Sequence, residues 1–436
     1  MEEAKQIARG IFKQTLASVD IPRAMERRVV RSGTQVQIDD WTCDLREFSD
    51  VRVIALGKAT HAMLRGFAEL FSGVKFSGVA SAPTSPGKPI ANITYFSGGH
   101  PIPNDDSFHS ARSALALLNG CTEKTLVIYL LSGGGSALME LPLDAKQTLE
   151  DIRRLNQLLV TCGASIDEIN AVRKHISAIK GGRLAVAAAK ATKLTLAITD
   201  VPHGKESALA SGPTIPDPTT VADVARIASQ YRIGEKLPSS LREWLASPNL
   251  PETPKEGHPA FHNSYFSLLL TSHDLFHAAH HAAESAGFLT CCDNTTDDWP
   301  LDRAVEYHLA QVDELRRTNP GQRVALISDG EVSSPVTGQG IGGRNSAFVL
   351  ACVEKIAGKP IAVLSAGTDG IDGNSPAAGA VADGSTLARA KSLGLSPRDF
   401  FSRSDAFSFF QELDDAIVTG PTGNNLRDLR IFLALR

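Results

Sequence analysis

Short apolar runs recur along this chain, each closed by glycine, proline or a polar turn. Residues 51–56 (Val-Arg-Val-Ile-Ala-Leu), 78–82, 125–131 and 194–199 are runs of this kind, and their length and bounding turns predict buried strands. Between them, apolar positions return every three or four residues. Ile7, Ala8, Ile11, Phe12 and Leu16 predict a helix over 4–19, and similar stripes predict helices at 59–71, 105–118, 145–162, 170–179 and 183–191. Strands alternating with helices predict a mostly parallel sheet covered on both faces.

The pattern breaks at 237–260, where Pro238, Pro248, Pro251, Pro254 and Pro259 interrupt it; this stretch reads as a linker. Beyond it, strands are predicted at 266–271, 288–292, 324–328, 361–366, 416–419 and 431–435. The expected organisation is therefore two α/β domains, 4–236 and 261–436, with a cleft between them.

Length agrees, because 436 residues exceed what one hydrophobic core usually serves. Hydrophobic content of 42% with 21% charged residues is that of a soluble globular protein. A net charge of −4 and 6% aromatic residues argue against nucleic-acid or membrane-surface partners. Six scattered cysteines without a Cys-x-x-Cys do not form a disulfide framework, so a reducing compartment is expected. No signal-like apolar core follows Met1, and no run is long enough to span a bilayer. A cytoplasmic monomer or homodimer is the expectation.

Candidate chemistry sits where predicted strands end. The run 125–131 closes in Ser132-Gly133-Gly134-Gly135-Ser136. Consecutive glycines let backbone N–H groups converge on an anion and flanking hydroxyls add donors, though an ordinary glycine-rich turn would look the same. Gly57-Lys58 follows the run 51–56 and places an ammonium at a strand-to-helix turn, either for a phosphoryl or carboxylate group or as a plain surface lysine. It is no Walker A motif. The basic stretch 170–183 (Lys174, Arg183) reads as a solvated helix face or as an anion-binding helix start. Asp200 stands just past a strand, where a carboxylate can serve as base or magnesium ligand.

In the second half, Gly338-Gln339-Gly340-Ile341-Gly342-Gly343 formally contains Gly-x-Gly-x-x-Gly. The preceding strand is ten residues away and no acid follows at the required distance, so a dinucleotide site is excluded. A glycine-rich loop delivering Arg344 to a helix start fits phosphate better. Asp369 and Asp372 follow another strand, as magnesium or hydroxyl partners or as Asx turns. His273, His277, His280 and His281 share a helix; the spacing invites a zinc site, but an exposed helix face explains it more simply.

Together these blocks resemble one family, the type II glycerate kinases (glycerate 2-kinase, or MOFRL, family), whose members often carry the name hydroxypyruvate reductase. The resemblance runs from about residue 5 to the C-terminus. Its blocks, in order, are ALGKA, GGHPIPN, LSGGGSAL, INAVRKHISAIKGGRLA, ASGPTIPDPTT, GGRN, SAGTDGIDG and GPTG. The resemblance implies an N-terminal Rossmann-like three-layer domain, a smaller C-terminal α/β domain, and an active site in the cleft. It implies ATP- and Mg2+-dependent phosphorylation of D-glycerate, mainly at the 2-hydroxyl. The family's key lysine, aspartate and arginine fall on Lys58, Asp200 and Arg344, and Ser132 to Ser136 match its glycine-rich loop. Lys174, Arg183, Asn345, Asp369 and Asp372 lie in matching blocks and complete the expected nucleotide- and substrate-binding set.

Four places depart from the family pattern: Val201-Pro202-His203-Gly204-Lys205 after the aspartate, Ser375-Pro376, Ser328-Asp329-Gly330-Glu331, and Ser346. They leave three alternatives standing: a kinase for a related sugar acid, a hydroxypyruvate reductase, and a non-catalytic metabolite-binding protein. Lys58 and Arg344 fall in different expected domains, so a closure assembling the site is expected as well.

Overall fold

The computed structural model describes residues 2–199, 201 and 204–435, and divides into two compact units. One comprises residues 21–269. Its sheet has the order Ile93–Ser97, Ser77–Ala82, Asp50–Leu56, Thr125–Leu131, Thr192–Thr199, Ser264–Thr271. The first five strands are parallel to their neighbours. Thr125–Leu131 is buried along its whole length and lies at the centre, which explains why its sequence is apolar on both faces. Ile54, Leu56, Val127, Tyr129 and Leu131 pack on Ala111, Ala114 and Leu118 of the helix Asp105–Asn119. Strand alternation turns Val53, Ala55, Ile128 and Leu130 to the other face.

Sheet order fixes where a ligand can sit. From Asp50–Leu56 the chain steps outward through Ser77–Ala82 to Ile93–Ser97, then returns to place Thr125–Leu131 on the opposite side of Asp50–Leu56. Connections leave these two strands in opposite directions, which opens a crevice at their carboxyl ends. Leu56 pairs with Leu131, so the two strands end level.

The other unit comprises residues 1–20 and 270–436. Its mixed sheet runs Leu289–Cys292, Val324–Asp329, Asp428–Ala434, Ile361–Gly367, Gly379–Asp383, Ala416–Ile417. The last long strand of the chain, Asp428–Ala434, is central, fully buried, and antiparallel to both neighbours.

The units do not follow the contiguous division expected from sequence. The helix Glu2–Ser18 buries Ala8, Ile11 and Phe12 against Ile327, Ile431 and Leu433 of the second sheet. Buried Lys5 is tied there too, 2.8 Å from Asp415. Ser264–Thr271, expected to open the second domain, instead extends the first sheet beside Thr192–Thr199, with Lys193 N–H donating to Asn263 O at 2.8 Å. The proline-rich stretch 237–260 is not a bare tether. It carries the helix Ser239–Leu245, and Leu237, Leu241 and Leu250 share a core with Leu159, Val172 and Ile227. A small antiparallel sheet, Val29–Ser32, Gln35–Ile38 and Trp41–Asp44, was not expected either. Among the described residues no helix is long and apolar enough to cross a membrane.

Candidate functional site

Past the level strand ends the two switch-point loops remain laced together. Ser132 N–H donates to Leu56 O at 2.9 Å, and Lys58 N–H donates to Gly133 O at 2.9 Å. Ala59 N–H donates to the buried Ser132 hydroxyl at 3.0 Å. This lacing leaves no room at residue 57: a Cβ on Gly57 would stand 2.2 Å from Ser132 Oγ, and its φ is +127°. Only glycine meets both conditions.

With its backbone held this way, the loop 132–136 turns its donors to a free side. The N–H groups of Gly133, Gly134, Gly135 and Ser136 find no protein acceptor among the described residues. The Lys58 ammonium has no partner among them either. Four successive N–H groups without an acceptor among the described residues, beside a lysine, have the donors an anion would need. Gly134, at φ +82°, lies against the Lys58 stem and the His100 ring, 3.2 and 3.0 Å from where a Cβ would be.

The back wall is strained. Ala210, Ser211 and Gly212 have φ of +49°, +60° and +60°. Two successive non-glycine residues in the left-handed region cost roughly 1–3 kcal/mol each. Hydrogen bonds hold them there: Gly181 N–H donates to Ser211 O at 2.9 Å and Gly182 N–H to Gly212 O at 2.7 Å. The buried Ser211 hydroxyl lies 2.8 Å from Ser136 Oγ and donates to Asn170 Oδ1 at 3.1 Å. Strain there fixes the end of the cradle.

The basic stretch before this wall plays another part. Lys174, expected to bind ligand, is buried with its ammonium 3.0 Å from Asp217 Oδ1. Burial works against the Asp217 charge, but the Lys174 ammonium outweighs it and holds the carboxyl below its usual range. Arg183 donates to the carbonyl of Lys174 at 2.7 Å and reaches those of Pro251 and Glu252. Lys180 pairs with Glu140, which also accepts from Ser177 Oγ at 2.6 Å. A charge buried as deeply as that of Lys174 must be matched inside the protein, and the half-buried Arg183 is occupied by backbone carbonyls.

In the other unit, Arg344 is the first residue of the helix Arg344–Val353. Its Nε lies 2.5 Å from Asp428 Oδ2 and its Nη2 2.6 Å from Glu331 Oε1. Burial disfavours its charge, but these two carboxylates outweigh that and raise its pKa. Asp372, expected at the ligand, caps this helix. Its carboxylate, in a residue 2% exposed, accepts Asn345 N–H at 2.9 Å, Ser346 N–H at 2.8 Å and Ser346 Oγ at 2.6 Å. A Cβ at Gly343 would stand 2.3 Å from Asp372 Oδ1, which accounts for that glycine. Asn345 is buried and accepts from Ser365 Oγ at 2.6 Å. Asp369 accepts Ile371 N–H at 3.0 Å, an Asx turn at the end of Ile361–Gly367.

Several neighbours of Arg344 escaped the sequence reading. Asp428 and Arg430 open an otherwise apolar strand and Arg427 precedes it, and charge in such a strand was the available signal. Arg430 is fully buried, donates to Gly330 O at 2.8 Å and lies over the Phe348 ring at 5.0 Å. Asp297 accepts Glu331 N–H at 2.9 Å and Arg427 Nη2 at 2.8 Å. The departing block Ser328-Asp329-Gly330-Glu331 is thereby anchored so that Glu331 meets Arg344. Asp200 lies outside the described residues, as do Pro202 and His203. His273 and His277 are exposed with Nε2 atoms 3.0 Å apart, and among the described residues no group of three His, Cys, Asp or Glu could hold a metal ion.

Comparison with known proteins places the chain. Residues 7–246 match DUF4147, a domain of unknown function, and 324–428 match the MOFRL family. The chain is 35% identical to a glycerate 2-kinase of Pyrococcus horikoshii, over 99% of this chain and 97% of that one. It is 36% identical to an Agrobacterium vitis protein provisionally named hydroxypyruvate reductase, over 99% and 94%. A solved structure of glycerate kinase from Thermotoga maritima matches with a TM-score of 0.86 at 32% identity, covering 100% of both chains. The chain belongs to the type II glycerate kinase family, with a DUF4147 domain followed by a MOFRL domain.

Proposed function

We propose that this protein transfers the γ-phosphoryl group of ATP to the 2-hydroxyl of D-glycerate, giving 2-phosphoglycerate and ADP. The observation that carries the reading is the switch-point cradle. A lysine and four N–H groups without partners among the described residues stand at the strand ends, in a chain alike from end to end to proteins named glycerate 2-kinase. Phosphoryl transfer asks a protein mainly for positioning and charge neutralisation. Lys58 would neutralise the anion in the cradle, and Arg344, held by Asp428 and Glu331, would meet charge on the transferring group. Asp200 would take the proton that leaves the glycerate hydroxyl. Asn345 and Asp369 support the Arg344 side; Lys174, Arg183 and Asp372 act through the scaffold.

Mg2+ enters this reading as the counter-ion of ATP, which commonly keeps its waters and few protein ligands. The described residues offer it no dedicated cage, so no step is assigned to a protein-held metal. Free cysteines, among them exposed Cys291, suit a reducing cytoplasm.

Glycerate-dependent ADP formation, run beside a panel of small hydroxy acids, tests the reading. The expected result is turnover with D-glycerate and none in Lys58→Ala. Oxidation of NADH with hydroxypyruvate in place of kinase activity would overturn it in favour of the reductase.

A further inference from the structure

The block GGHPIPN at 98–104 has no part in the reading above, yet it is built with unusual constraint. It leaves the edge strand Ile93–Ser97 and must turn at once into the helix Asp105–Asn119. A Cβ on Gly98 would stand 2.3 Å from Leu138 O, and one on Gly99 would stand 2.1 Å from Ile102 O. The turn therefore presses onto the segment that follows the glycine-rich loop. Asn104 Nδ2 donates to Ser97 O at 2.9 Å, and Asn104 Oδ1 accepts Ser107 N–H at 3.0 Å. Ser107 Oγ accepts Gly99 N–H at 3.0 Å. Arg153 ties down Pro103 O at 2.9 Å.

Both stems being pinned, the side chain at the tip is aimed. The His100 ring lies against Gly134, its Cδ2 and Nε2 3.0 and 3.1 Å from where a Cβ would be, with Lys58 Cγ 3.2 Å from the same point. His100 makes no hydrogen bond among the described residues. We propose that His100 is a ligand-binding residue of this site, hydrogen-bonding an anionic oxygen, carboxylate or phosphoryl, held by Lys58 and the 133–136 N–H groups. Which of the two oxygens it meets rests on the glycerate-kinase reading; that it meets an anion rests on the geometry.

Although His100 is exposed, partial desolvation first, and the Lys58 charge second, hold its imidazole below its usual range, which favours the neutral ring. A neutral ring supplies a hydrogen bond without competing with Lys58 for the anion. Lys58 is the charged group acting on it among the described residues.

The test follows the His100 imidazole signal by NMR, assigned with His100→Asn, in separate titrations with D-glycerate, inorganic phosphate and ADP. An anion seated against the ring is expected to move that signal and raise its pKa. A response to glycerate alone assigns the carboxylate; a response to phosphate or ADP assigns the phosphoryl group. His100→Ala is expected to raise KM for the corresponding substrate about tenfold with Tm unchanged, and His100→Asn to restore part of the loss. A signal that none of the three moves, or wild-type KM values in His100→Ala, would overturn the proposal. If phosphate moves the signal while the protein shows no glycerate-dependent turnover, the assigned function fails and the anion site at His100 stands.

Discussion

Asp428 and Arg344 share a charge-assisted hydrogen bond of 2.5 Å, and Glu331 grips the other side of the guanidinium. Neither carboxylate neighbours Arg344 in sequence; the strand order brings them to the helix start. The arginine is thus oriented before any ligand arrives. Arg344→Ala should reduce kcat/KM on the order of 10²-fold, as loss of one preorganised charge donor does. Asp428→Asn, which keeps the shape and removes the charge, should cost about tenfold. Initial rates of ADP formation check both: an unchanged rate in Arg344→Ala would remove Arg344 from the reaction, and one in Asp428→Asn would remove the orienting role of Asp428.

Gly57 and Gly134 separate fold from function. A methyl group at Gly57 meets Ser132 Oγ and backbone at an unfavourable φ, so Gly57→Ala should cost about 3 kcal/mol of stability. At Gly134 the obstructing atoms belong to side chains that can shift. Gly134→Ala, strained chiefly by its φ of +82°, should therefore cost about 1–2 kcal/mol while strongly reducing activity. Urea midpoints beside rates would show the contrast, and equal stability losses would contradict it.

Lys174 offers a test of the scaffold assignment. Removing its ammonium leaves Asp217 buried without its partner, so Lys174→Met should destabilise the protein by about 3–5 kcal/mol. Replacing both residues by apolar ones should recover much of the loss. KM measured at low temperature on folded Lys174→Met should match wild type. A selective rise in KM for ATP or glycerate would return Lys174 to the ligand.

His308 predicts the acid side of the stability profile. Burial first, and the Arg430 charge second, push its pKa from 6.5 to about 3, so the folded state holds it neutral while the unfolded chain protonates. Its contribution is complete above about pH 6.5 and is lost as pH falls towards 3, by at most about 1.4 kcal/mol per pH unit. Urea midpoints taken from pH 7 to pH 4 should fall less steeply in His308→Asn than in wild type. Parallel curves would exclude His308 as the source.

Much of the candidate site was legible because its signals are local. Lys58 and the glycines at 133–135 follow apolar runs whose ends are visible in sequence, and a strand end is where α/β sheets present ligands. Arg344 was readable for the same reason, as the first residue after a glycine-rich turn. Lys174, Arg183 and Asp372 looked alike in character to these residues. What distinguishes them is a buried partner 43, 9 and 27 residues away, respectively. Spacing alone carries no information about such pairing.

The sequence by itself determined the alternation of strands and helices, the family, and which loops are candidates for chemistry, because periodicity and glycine placement act over a few residues. Tertiary structure alone decided that residues 1–20 join the second sheet, that 264–271 extend the first, and that the proline-rich stretch packs into a core. It also decided which charges stay available for a ligand. Burial makes that choice: a charge with little solvent must be matched by the protein, and only the completed fold shows which of them, like Lys58 among the described residues, are left unmatched.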